Sequence, residues 1–496
     1  MTQTATISPE SGSGVGTLTN YVGGAFVPAA ADRDTLEDRN PASGELLARV
    51  PLSGPADVDA AVRAARAAFP AWRATSPMVR ARALFRLRDV LAEHRDELAA
   101  LVTRDMGKTI GDATGEVQRG IESVEHACAM PVLLKGENLE QVARGVDVEL
   151  VRQPVGVVAA ITPFNFPAMI PLWFLPYAIG AGNTFVLKPS EQDPLPGMRM
   201  MELIDGIEEI PKGVVNLVHG AHDAVNGLLE HPEVDAVSFV GSAATGQHVA
   251  RTAMNHGKRV QALGGAKNAM VIMPDADPKT MAGGVMGSAF GAAGQRCLAG
   301  SVAVLVGSEE EQDRSLATLV AAARQLVTGD GADPATDVCP VVTPAARERI
   351  EGEIAAAERD GAKLVLDGRR DGGAAGAELG PTIVDGVDAE SRMVREEIFG
   401  PVLAVVRAPD LDAALELVNG SRYGNASVIF TTSGGAAREF RFGVQAGMIG
   451  VNIGVAAPVA WFPFAGWKDS FEGDLHANGW DAVEFYTRKK VVTSRW

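Results

Sequence analysis

From Arg152 to Lys188 the chain runs through residues 153 to 187 without one charged side chain. A run of that kind has to leave water, in a bilayer or in a protein core. A membrane-spanning helix needs about twenty consecutive apolar residues. Here Pro154, Pro163, Pro167, Pro171 and Pro176 interrupt the run, and Asn165 and Asn183 add polar groups. Proline removes a backbone donor and breaks helices. The run therefore predicts a buried strand, a loop and a packed helix, with no membrane segment. At 496 residues the chain is long enough to bury it, and two or three domains are expected.

Short apolar stretches alternate with stretches of helical spacing on both sides of this run. Residues 155–161, 184–189, 214–218 and 236–240 read as strands, while 56–70 and 79–105 carry the spacing of amphipathic helices. Strands alternating with helices predict a parallel sheet. Gly241-Ser-Ala-Ala-Thr-Gly246 follows a strand, where such sheets hold phosphates, although its glycines are not spaced as Gly-x-Gly-x-x-Gly. A second α/β region is expected from about Leu263 to residue 455, with strands at 269–273, 301–306 and 402–406. Residues 486–496 alternate in β fashion but carry many cations, which suits an edge or intersubunit strand.

Composition narrows the function. Apolar residues make up 46% and charged residues 22%, as in a soluble globular protein. The net charge of −17 argues against nucleic acid or an anionic membrane as partner. The three cysteines, Cys128, Cys297 and Cys339, are scattered and odd in number, which suits a reducing, cytoplasmic setting. Eight dispersed histidines give no His-x-x-x-His pair, so no metal site is expected. The first sixteen residues lack a basic and an apolar region and read as a loose tail, not a signal peptide.

Phe290-Gly-Ala-Ala-Gly-Gln-Arg-Cys297 ends a run of small residues in a thiol beside a permanent cation. Small neighbours let a carbonyl approach, and Arg296 is expected to favour the nucleophilic thiolate. Cys128, in a helical context, and Cys339, before a proline, read as buried small hydrophobes.

Four motifs, Pro163-Phe-Asn-Phe-Pro167, Lys188-Pro-Ser-Glu191, Gly294-Gln-Arg-Cys297 and Glu396-Glu-Ile-Phe-Gly-Pro401, stand in the order in which they occur in the aldehyde dehydrogenase superfamily. The chain resembles that family from about Leu18 to Trp496, and within it the CoA-acylating methylmalonate-semialdehyde branch of valine and inositol catabolism. The resemblance implies an α/β fold with a Rossmann-type NAD domain (1–134 and 153–263), a catalytic domain (264–455) and a small β oligomerisation element (135–152 and 474–496) of a homotetramer. It implies Cys297 as nucleophile and Asn165 as oxyanion donor. NAD would meet Thr162, Phe164, Lys188, Glu191, Gln192, Ser242, Gly264, Glu397 and Phe399. Physically, Lys188 and Glu191 can together hold a ribose diol, and a carboxylate there disfavours a 2′-phosphate. Arg119 and Arg296 would hold a substrate carboxylate, for which planar guanidinium is suited. Loops near Trp173, Phe174 and residues 455–464 would shape that pocket. Two positions depart from the branch: Gln192 and Ala269 stand where arginine and histidine are expected.

Gln261-Ala-Leu-Gly-Gly-Ala-Lys267 resembles the family's Glu-Leu-Gly-Gly-Lys segment, with Ala262 in place of the glutamate that activates water. A second glutamate of hydrolytic members is also missing, with Leu475 about where it would fall. A general base contributes about 10²–10⁴-fold, so acyl transfer to the thiol of CoA is expected. A hydrolytic dehydrogenase with another base, or a silent binding relative, are the alternatives.

Overall fold

The computed structural model describes residues 15–30 and 34–496, so the expected amino-terminal tail lies outside it up to residue 14. Five parallel strands form the centre of the first sheet, in the spatial order Val215–Leu217, Thr184–Lys188, Val157–Ile161, Ala236–Val240, Arg259–Leu263. Counted along the chain this is third, second, first, fourth, fifth, the order of doubly wound dinucleotide-binding sheets. The order reverses between Val157–Ile161 and Ala236–Val240, and ligands of such sheets lie beyond the strand ends at that reversal.

These strands are buried and mostly apolar because both faces are covered. Val157, Ala159 and Ile161 pack with helices Pro55–Ala74, His222–Glu230 and Ala243–Asn255. Val158 and Ala160 join a second core built on Pro77–Glu93, Arg95–Met106, Ile110–Ala127 and Met169–Ala181. The single helical stretch expected over 79–105 is two helices, parted at His94, where φ is −105° and ψ 14°.

The charge-free run resolves as expected into strand, loop and helix. Helix Met169–Ala181 is buried on every side, which accounts for its lack of any polar face. Gly182 ends it with φ +99°, a conformation that favours glycine. No described helix is long and apolar enough to cross a membrane.

The second sheet has the order Lys363–Leu366, Thr382–Asp385, Val402–Ala408, Gly300–Val306, Asn268–Ile272, Ala426–Phe430, Met448–Val451, parallel except at its first strand. Ala269 is a core position here, 7% exposed. Apart from both sheets, Thr487–Arg495 pairs antiparallel with Val146–Pro154 over its whole length, and Glu137–Ala143 completes a three-stranded sheet with an exposed outer strand.

Candidate active site

The turn before Cys297 is strained. Ala292 and Ala293 have φ of 49° and 53°, a left-handed conformation that costs a residue with a Cβ. It is held from outside: Asp112 Oδ2 accepts from the Ala292 N–H at 3.1 Å, and Gln295 Oε1 accepts from the Val342 N–H at 3.0 Å. The Cys297 carbonyl accepts from Asn268 Nδ2 and Asn425 Nδ2, both at 2.8 Å.

Cys297 is partly exposed. Burial pushes the thiol up to about 12, and Glu397 adds to the rise; backbone N–H groups of Cys297 and Leu298, then Arg296, offset part of it. Arg296 thus favours the thiolate, as expected, but more weakly than burial opposes it. Its guanidinium is engaged by Asp112, with Nη2 donating to Oδ1 at 2.6 Å, so little of its charge is left for the sulfur. Cys128 and Cys339 are buried and free, as expected.

Two cavities meet at Cys297. The larger, about 560 Å³, lies at the reversal point of the first sheet. Its lining holds every residue the sequence assigned to the cofactor: Thr162, Phe164, Lys188, Glu191, Gln192, Ser242, Gly264, Glu397 and Phe399, together with Asn165. Lys188 Nζ donates to Glu191 Oε2 at 2.8 Å. Burial raises Glu191, but the charge and hydrogen bond of Lys188 outweigh it and leave the carboxyl below its usual range. Ser242 caps helix Ala243–Asn255, whose amino-terminal N–H groups suit a phosphate. Gly264 leaves no room for a side chain, since a Cβ there would lie 3.0 Å from Asp469 O and 3.3 Å from Ala243 Cα. Phe399 has φ +55° and meets Phe164 edge-on at 5.8 Å. Glu397 Oε1 accepts from the Ala266 N–H at 3.0 Å, and burial pushes the carboxyl up to about 7. Thr162 Oγ1 is buried without a partner in this wall.

The smaller cavity, about 290 Å³, carries both expected arginines, Arg119 and Arg296. Arg119 is loosely held, with Nη1 3.6 Å from Glu122 Oε2 and 3.5 Å from the Pro458 carbonyl it donates to. A Cβ at Gly291 would fall 2.7 Å from Arg296 Nη1, so that glycine makes room for the guanidinium. Trp173, Phe464, Val455 and Pro458 supply apolar wall as expected, whereas Phe174 is buried in the core behind them. Sequence reasoning missed Lys108, Asp112 and Glu116, which line the same wall. Lys108 and Asp112 flank the start of helix Ile110–Ala127 and Glu116 lies within it, and the partners that show their roles, Asn165, Arg296 and Ala168, lie far along the chain.

In strand Arg259–Leu263 Ala262 is buried and packs with Phe239, Val249 and Ala250. Leu263 belongs to the opposite core, against which Cys297 packs. Neither lines a cavity, and Leu475, too, packs against the core. Carboxylates around the smaller cavity are all engaged: Asp112 by Arg296, Glu116 by Lys108, Glu122 by Arg119. Among the described residues no group of three or more His, Cys, Asp or Glu could hold a metal.

The aldehyde dehydrogenase family model matches residues 26–492. Malonate-semialdehyde dehydrogenase 2 of Geobacillus kaustophilus (strain HTA426) is 51% identical over 486 residues, 98% of this chain and 100% of its own. The crystal structure of methylmalonate-semialdehyde dehydrogenase from Oceanimonas doudoroffii matches with a TM-score of 0.94 at 45% identity, covering 97% of this chain and 99% of that one. A Sinorhizobium meliloti 1021 structure complexed with NAD gives 0.95 at 43%, covering 98% and 99%. With likeness running from the first sheet to the terminal strand, the chain belongs to the aldehyde dehydrogenase family.

Proposed function

We propose that the chain oxidises malonate semialdehyde or methylmalonate semialdehyde with NAD and passes the acyl group from Cys297 to CoA. The observation that carries this reading is the place of Cys297 between two cavities, one suited to a dinucleotide and one lined by arginines. The unpartnered Thr162 Oγ1, the Lys188–Glu191 pair and the helix start at Ser242 fit NAD, as does the NAD complex of the Sinorhizobium relative. Glu397 would hold the nicotinamide ribose, and Phe399 with Phe164 would flank the ring. When bound, NAD accepts the hydride.

Cys297 releases its proton to water and its sulfur attacks the aldehyde carbon. Asn165 Nδ2 has two N–H donors and spends one on the Gln295 carbonyl at 3.0 Å, so the other is free for the oxyanion beside the Cys297 N–H. Loss of hydride from the carbon then leaves a thioester on Cys297. With every nearby carboxylate of the substrate cavity committed, water has no base there, while a CoA thiol is partly ionised near neutral pH. A substrate carboxylate β to the thioester carbonyl can leave as CO₂, its bonding electrons passing towards that carbonyl. Methylmalonate semialdehyde would give propionyl-CoA, and malonate semialdehyde acetyl-CoA.

In this reading the first sheet with its helices is the NAD domain and the second sheet the catalytic domain. The three-stranded sheet would join subunits of a cytoplasmic homotetramer, and its exposed Leu139, Val142, Val491 and Trp496 support that role. Valine or inositol catabolism would supply the substrate. Product identification tests the whole: acyl-CoA and CO₂ should form with CoA present, and rapid release of free acid without it would overturn the transfer step. Glu397, pushed up to about 7, is the group a hydrolytic reading would turn to.

Arg119→Leu should lower kcat/KM for a carboxylated semialdehyde far more than for propanal. Losing one charged hydrogen bond costs roughly 1.5–3 kcal/mol, or about ten- to a hundredfold. Equal loss on both substrates would remove Arg119 from the carboxylate site.

A further inference from the structure

We propose that Lys108, clamped by Glu116, is the positioning residue for the Asn165 amide. The inference rests on Asn165 being the oxyanion donor, as set out above. Lys108 and Glu116 are 0% and 2% exposed, a buried ion pair in the wall of the substrate cavity. Lys108 follows helix Arg95–Met106, whose carboxyl end turns at Gly107 with φ +89°, and Glu116 stands on helix Ile110–Ala127. Neither belongs to the loop they serve.

The partners of the pair converge on that loop. Lys108 Nζ donates to Glu116 Oε2 at 2.5 Å and to the Asn165 carbonyl at 2.6 Å, and it sits 3.7 Å from the centroid of the Phe166 ring. Glu116 Oε1 accepts from the N–H of Ala168 at 2.8 Å and of Met169 at 3.1 Å. The segment from Asn165 to Met169 is thus gripped at its first carbonyl, its aromatic ring and two of its N–H groups. It needs such a grip, because it lies between strand Val157–Ile161 and helix Met169–Ala181 with no ladder of its own.

Burying two ions is expensive, and an apolar pair of the same size often serves stability as well or better. What an ammonium adds is direction: a charge-assisted hydrogen bond fixes the Asn165 peptide plane, and with it where the side chain points. Asn165 is 4% exposed, so a rotated plane would carry its amide away from Cys297 without room to compensate. Displacement of a donor by about 1 Å can cost on the order of 10²-fold in rate.

A double-mutant cycle on the burst of NADH formation in full-length enzyme tests this. Asn165→Ala should slow the burst by about 10²–10³-fold. Lys108→Met should slow it by roughly 10²-fold, with NAD affinity and semialdehyde KM changed by less than about threefold. The double variant should lie within about threefold of Asn165→Ala alone, because a misplaced donor cannot be lost twice. Should Lys108→Met fail to fold, Glu116→Gln supplies the cycle, with a smaller drop and the same non-additivity. Effects that multiply in the cycle would make the pair merely structural and overturn the proposal. A wild-type burst in Asn165→Ala would instead remove the oxyanion role itself, a separate failure.

Discussion

Cys297→Ala is expected to abolish aldehyde oxidation, a loss on the order of 10⁴-fold or more, while NAD still binds. The side chain contributes only one wall position to the larger cavity, proposed to hold the cofactor, whose remaining lining comes from other segments. Steady-state NADH formation and a calorimetric NAD titration check the two halves of the statement. Turnover near the wild-type rate in this variant would end the proposed chemistry. The same thiol should respond to pH. Burial holds it up at about 12, so without cofactor it is protonated through neutral pH. Its alkylation by iodoacetamide should then rise roughly tenfold per pH unit through the neutral and mildly alkaline range, as the thiolate fraction does. A rate that is flat over that range would mean that the thiolate is already formed.

Ala262→Glu should cost stability and add no hydrolysis. Ala262 is 0% exposed among the apolar side chains of one face of the first sheet. A carboxylate driven in there without a partner costs several kcal/mol, which a thermal melt reads as a Tm lower by several degrees. Leu263→Glu is the contrasting variant, because it places the carboxylate in the core that Cys297 packs against. In the absence of CoA the wild type should give a burst of NADH near one per site and then a slow phase. Leu263→Glu should quicken that slow phase by no more than the 10²–10⁴-fold or so that a general base supplies. A stable Ala262→Glu enzyme that hydrolyses its acyl group would show that a carboxylate at position 262 reaches the thioester.

The sequence carried the sheets well, because a strand buried on both faces has little choice but to be continuously apolar. Ala236–Val240 has the expected limits, and Thr184–Lys188 differs from them by one residue. All nine residues assigned to the cofactor fall in one cavity, since each belongs to a motif read at a strand end or turn. Polar residues whose work depends on distant partners were not legible. Asn425 reaches the Cys297 carbonyl across 128 positions, and Lys108 reaches the Asn165 carbonyl across 57. Nothing local distinguishes such residues from a solvated side chain.

Among the residues that line the two cavities, Cys297 is the one common to both. In the proposed reading, descendants of such an architecture can change which acid they accept without disturbing which nucleotide they take. Drift in Trp173, Val455 or Phe464 alters one compartment, drift in Gln192 or Ser242 the other, and selection can act on each alone. The thiol is the hinge of that independence, because a change there would alter both compartments at once.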